Sequence, residues 1–135
     1  MKKILVLLLT LLSACAAKTA GPVNSEMLIG QKFILRSVNG VPFSSSDQTP
    51  EIEFLENMQV SGRICNYFSG AGTLKNGILT VPEAASTMML CADEALNRMD
   101  GELAAMLNQG AALRLEGENL TLSSGGMQYT YVRAR

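Results

Sequence analysis

One stretch of helical periodicity, set in a chain otherwise divided into short period-two runs, limits what this protein can fold into. Leu96, Met99, Leu103, Met106 and Leu107 fall at i, i+3, i+7, i+10 and i+11, an apolar stripe on one side of a helix. Asp93 is placed to cap its start, and Gly110 suits the position just past its end. Gly101 lies inside the expected helix, where a glycine costs about 1 kcal/mol relative to alanine. A one-sided helix must cover something, and the rest of the chain offers only strands.

Those strands are marked by alternation and by turn dipeptides. Phe33, Leu35 and Ser37 alternate with Ile34, Arg36 and Val38 before Asn39-Gly40, and Val41 to Phe43 can form a short returning arm. Ser44 to Pro50 is a polar loop. Ile52 and Phe54 alternate with Glu51, Glu53 and Leu55. Glu56-Asn57 turns, and Met58, Val60 and Gly62 form the second arm. Cys65 to Gly72 is rich in Gly and Ser. Thr73 to Lys75 and Ile78 to Val81 flank Asn76-Gly77, the strongest hairpin signal in the chain, and Pro82 ends that run. After the helix, Ala112 to Glu116, Leu120 to Leu122 and Met127 to Arg133 complete the pattern. The expected class is α+β: a curved, mainly antiparallel sheet, or partial barrel, of seven to nine short strands with one covering helix.

The start of the chain carries an address. Lys2 and Lys3 precede an apolar run from Ile4 to Leu9 that is too short to span a bilayer but right for a secretory signal. Leu12-Ser13-Ala14-Cys15 resembles a bacterial lipobox, which implies cleavage before Cys15 and acylation of it. The alternative is an ordinary leader cut nearby, a protein secreted to the periplasm and an incidental Cys15. The expected organisation is a signal peptide over 1–14, a lipidated Cys15 with a flexible tether over 15–29, and one domain over 30–135. Ala16 favours the periplasmic face of the outer membrane over the inner one.

Removing 1–14 leaves 121 residues, enough for one core, with nine basic against twelve acidic residues. No basic patch suggests a nucleic-acid partner. The expected partners are the membrane, through lipid on Cys15, and a protein or hydrophobic ligand held by a monomer. Histidine is absent, which removes Ser–His and Cys–His nucleophile pairs and the commonest metal ligand. Glu51 and Glu53 share a strand face and read as solvated. A Ser–Lys pair would need Lys32 or Lys75 to approach a serine, and no motif marks one. No catalytic residue, metal or cofactor is expected. With Cys15 set aside, Cys65 and Cys91 read first as a disulfide in an oxidising compartment. Two buried thiols, or a metal pair lacking further soft ligands, are the alternatives. A bridge closing about 27 residues would contribute about 3.5 kcal/mol.

Two segments carry further information: Gly62-Arg63-Ile64-Cys65-Asn66-Tyr67-Phe68-Ser69-Gly70 and Thr87-Met88-Met89-Leu90-Cys91. Asn66 and the glycines suit chain reversal at positive φ. Met88-Met89-Leu90 reads as core, although exposed it would offer a soft apolar surface. The pattern Gly62-x-x-Cys65-Asn66-x-Phe68-Ser69-Gly70, then Thr87-x-Met89-x-Cys91, then the helix and last hairpins, resembles the META domain family. The opening strand, Leu35 to Gly40, resembles it too, with Phe33 where many relatives carry Trp. The resemblance runs from about Phe33 to Tyr131. It implies a compact curved antiparallel sheet with one helix and no known catalytic activity. It also implies links to envelope stress and, for some members, to novobiocin tolerance or secretion. Asn66, Phe68, Ser69, Gly70, Thr87 and Met89 are the candidate binding or motif residues. Alternatives are a pilotin-like assembly or lipid-binding lipoprotein, or a lysozyme inhibitor. The Ser-Gly-x-x-Tyr loop of such inhibitors is broken here, since Ser69-Gly70-Ala71-Gly72-Thr73 lacks the Tyr.

Overall fold

A computed structural model describes residues 21–135. Cys15 and the leader expected over 1–14 lie outside the described residues. The strands are β1 Gln31–Val38, β2 Val41–Pro42, β3 Glu51–Phe54, β4 Gln59–Arg63, β5 Tyr67–Ala71, β6 Thr73–Lys75, β7 Ile78–Thr80 and β8 Ala85–Ser86, followed after the helix by β9 Ala111–Glu116, β10 Asn119–Ser124 and β11 Met127–Arg133. The helix, α1, spans Glu94–Gln109. All eleven strands belong to one antiparallel sheet in the order β6-β7-β9-β10-β11-β1-β3-β4-β5-β8, with β2 on β1. The class is α+β as expected. The count exceeds seven to nine mainly because the Gly- and Ser-rich stretch after Cys65 pairs as β5, and Ala85–Ser86 pairs with it.

The sheet curls because its ends are tied together. β5 and β6 stand far apart in the strand order, yet one residue, Gly72, joins them. A Cβ on Gly72 would sit 2.8 Å from both the Met58 carbonyl oxygen and Val60 Cγ2, so a glycine lets the chain pass. A register shift between Leu35 and Ser37 leaves Arg36 out of the β1–β11 ladder, a bulge that bends β1.

Side chains fill the inside of this half-barrel. Phe33, Ile52, Phe54, Val60, Leu79, Leu120, Leu122, Tyr129 and Tyr131 are fully buried, and Phe33 meets Phe54 edge to face. Val23 and Leu28, upstream of residue 30 in the stretch read as tether, are buried as well. The tether segment therefore packs before it reaches β1.

The helix lies across the sheet's opening and buries the five residues of the predicted stripe. The Asp93 side chain accepts from the Ala95 N–H, and Gly110 ends the helix at φ +111°. The Tyr129 hydroxyl donates to Glu102 Oε2 at 2.7 Å and fastens the helix to β11. Burial, and then the Glu102 carboxylate, raise the ionisation of that phenol above its ordinary range.

The helix runs unbroken through Gly101, whose absent Cβ would have nothing within 4 Å. Gly101→Ala is therefore expected to stabilise the domain by about 1 kcal/mol, or about 4 °C in Tm. A circular-dichroism melt checks this, and an unchanged or lower Tm would contradict it.

Candidate functional site

Both signature segments meet at one pole of the half-barrel. The β4–β5 turn brings Cys65 and Asn66 under the chain between β8 and α1. Cys65 and Cys91 form a disulfide with Cα atoms 5.8 Å apart, so the pair is oxidised in the structure.

Asn66 is the node of this pole. Its amide nitrogen donates to Asp100 Oδ2 at 2.7 Å and to the Met89 carbonyl at 3.1 Å. Its amide oxygen accepts from Met89 N–H at 2.6 Å and from Thr87 Oγ1 at 2.9 Å. Those four bonds use the full capacity of a carboxamide. Asp100 accepts from the backbone N–H of Cys65 at 2.9 Å and of Asn66 at 3.1 Å. Thr87 Oγ1 also accepts from Tyr67 N–H. Gln48 donates to the Cys65 carbonyl, and Asn97 brackets the backbone of Cys91 from both sides.

The expected role of Asn66 and the glycines is corrected by this geometry. Asn66, Gly62, Gly70 and Gly72 are not among the positive-φ residues. Asn66 acts through its side chain. Gly62 and Gly70 serve close packing: a methyl at Gly62 would run into the Glu51 carbonyl and the Phe68 ring, and one at Gly70 would sit 2.7 Å from Val81 Cγ1.

The expectation that Met88-Met89-Leu90 is core is overturned. Met88 is 98% exposed, Leu90 91% and Met89 49%, with Tyr67 beside them at 53%. The backbone of this loop is held on both sides, by Asn66 at Met89 and by the disulfide at Cys91. The fixed backbone keeps apolar side chains in water that would otherwise be free to turn inward.

Beside the loop lies a cleft of about 220 Å³ between α1 and the β5–β8 edge. Ile64, Phe68, Leu103 and Leu107 form its apolar part, and Asn66 and Asp100 stand at its rim. Phe68 thus belongs to the cleft, and Ser69 faces outward and is exposed. Glu51 and Glu53 are half-buried on the outer face, and Lys32 Nζ meets Glu51 at 3.2 Å instead of a serine.

Asp100, Gln48 and Asn97 are the residues that sequence reading missed. Asp100 carried a signal: it stands four residues after Leu96 and three before Leu103, at an inward position of the apolar stripe. A carboxylate there needs donors.

A curled antiparallel sheet spanned by one helix, with the Cys65–Cys91 bridge and the Asn66 node closing one pole, defines a META-type domain. The META domain family model matches residues 26–135, and the chain belongs to that family. It is similar to heat shock protein HslJ of Escherichia coli (strain K12), at 41% identity over 133 residues, covering 97% of this chain and 95% of that protein. A solved NMR structure at 44% identity superposes with a TM-score of 0.76 over 82% of this chain and 94% of the other. A second NMR structure, of a protein from Burkholderia xenovorans, shares the fold at 18% identity, with a TM-score of 0.64 over 87% and 93% of the two chains.

Proposed function

We propose that this META-type protein is a non-enzymatic lipoprotein of the bacterial envelope that supports stress tolerance by binding a partner. The observation that carries the reading is the rigidly held, exposed Met88–Leu90 loop beside an apolar cleft. Exposed apolar residues held by a fixed backbone are the arrangement of an interaction surface, because they gain most from burial and lose least on ordering. The packed interior of the half-barrel argues against a lipid held inside it. The absence of histidine and the engagement of Lys32 by Glu51 favour binding over acyl-transfer chemistry. The heat-shock name of the Escherichia coli relative supports a stress role, with novobiocin tolerance as one phenotype to examine. The Leu12-Ser13-Ala14-Cys15 tetrad supports a lipid anchor on Cys15 at the periplasmic face of the outer membrane.

The test is complementation of a deletion strain, scored by survival of heat and of novobiocin. Wild type should restore survival. Cys15→Ala and the double variant Met88→Asp/Leu90→Asp should each fail while accumulating to normal levels. Full rescue by the double variant would remove the loop from the function.

A further inference from the structure

We propose that the Met88–Leu90 loop docks into an apolar, basic-rimmed pocket of another protein, at the pole of the domain opposite the point where the chain enters. The proposal rests on the envelope-binding reading above and names the partner's chemistry.

Charge is the first argument. The root of the loop is edged by carboxylates. Asp47 Oδ2 accepts from Ala92 N–H at 3.0 Å, Asp93 caps α1, and Glu94 follows it, exposed. Among the described residues two arginines stand nearby; Arg98 is paired with a carboxylate, and the one remaining cation, Arg63, leaves the three carboxylates in excess. Arg63 lies over the Tyr67 ring at 5.3 Å with Nη1 on the Tyr67 hydroxyl, and Arg98 faces Glu102 at 3.6 Å. An apolar tip with an acidic edge matches a pocket lined by apolar groups and rimmed by Lys or Arg. An anionic lipid surface would repel the same edge.

Chain geometry is the second. A Cβ on Gly77 would meet Pro22 at 3.5 Å, so the described chain enters the domain beside the β6–β7 turn. β5 and β6 lead from Asn66 at the loop pole to that turn. The helix α1 covers the same span, since it starts just after Cys91 and a Cβ on Gly110, at its end, would meet Ile78 Cγ2, next to that turn, at 3.0 Å. Sixteen helical residues measure about 24 Å. The seven residue steps from Cys15 to Pro22 reach about 25 Å at most. A domain anchored at Cys15 is therefore held through its entry pole, with the loop about 24 Å away at the opposite pole.

The test places a photoreactive diazirine residue in the full-length chain in living cells, at position 88 or, near the entry pole, at position 78. Ile78 is also a partly exposed apolar residue, so it controls for nonspecific capture. The expected result is one discrete protein adduct at 88 and none of the same mass at 78. Leu90→Asp should lower that adduct about tenfold or more, and Glu94→Lys should weaken it severalfold, in variants whose Tm matches wild type. A lipid adduct at 88, an adduct with a second copy of this chain, no protein adduct, or one indifferent to both substitutions would each overturn the proposal. Membrane fractionation separates the two readings. If the wild-type chain is not membrane-bound, the anchor reading fails, while the dependence of the adduct on Leu90 and Glu94 still decides the docking surface.

Discussion

Asn66→Asp is expected to lower the stability of this domain at pH 7 by about 3 kcal/mol or more, a fall of about 12 °C in Tm. The substitution barely changes shape. It replaces the amide nitrogen that donates to Asp100 Oδ2 and to the Met89 carbonyl with an oxygen that can only accept when ionised. Two carboxylates at hydrogen-bonding distance cannot both stay charged in a half-buried site, so the folded pair retains a proton that the unfolded chain has released. The folded pair then ionises above the ordinary carboxylate range. Its penalty is absent below about pH 4 and grows as pH rises through the unfolded carboxylate values. The variant should therefore approach wild type on acidification, whereas Asn66→Ala should be destabilised with little dependence on pH. Melts of the three proteins from pH 4 to 8, compared at each pH, decide this. If Asn66→Asp melts within 2 °C of wild type at pH 7, the node is not what holds the loop.

Loss of the Cys65–Cys91 bridge is expected to have an effect of similar size, about 3.5 kcal/mol by the loop-closure estimate. The bridge joins the β4–β5 turn to the entry of α1, so its absence frees the unfolded chain and loosens the loop in the folded one. Wild type treated with a dithiol reductant and the double variant Cys65→Ala/Cys91→Ala should melt about 14 °C below the oxidised protein, and close to each other. Agreement between the oxidised and reduced melts would remove the bridge from the stability of the fold. Hydrogen exchange at Met89 and Cys91 should accelerate in both altered forms, because their amides stay bonded to Asn66 and Asn97 only while the loop keeps its path.

Elements whose signals are local were legible in the sequence. The five stripe residues bury as predicted because a 3.6-residue period can be met only by a helix against a single surface. Asp93 caps because its side chain needs only the next turn. Asn76-Gly77 turns because both residues take positive φ, at +51° and +73°. Counting, once Cys15 was set apart, made a Cys65–Cys91 disulfide the first reading, and the structure has that bridge. β5 was harder to read, because Gly and Ser have poor strand propensity. Its pairing with β4 is decided by the room that Gly62 and Gly70 leave for Phe68 and Val81.

The Met88–Leu90 run shows why apolar composition cannot decide burial. Three hydrophobic residues read as core. Their fate depended on the partner of the backbone between them, and that partner, Asn66, lies 23 residues from Met89 along the chain. Period and turn chemistry therefore determined that this chain forms a sheet of short strands under one helix. Only the tertiary structure decided that the sheet closes through Gly72, that Asn66 is a node and not a turn residue, and that the apolar loop faces outward. The physical reason is range: helix period and turn preference are settled within a few residues, whereas hydrogen bonds between distant segments exist only once the chain has brought them together.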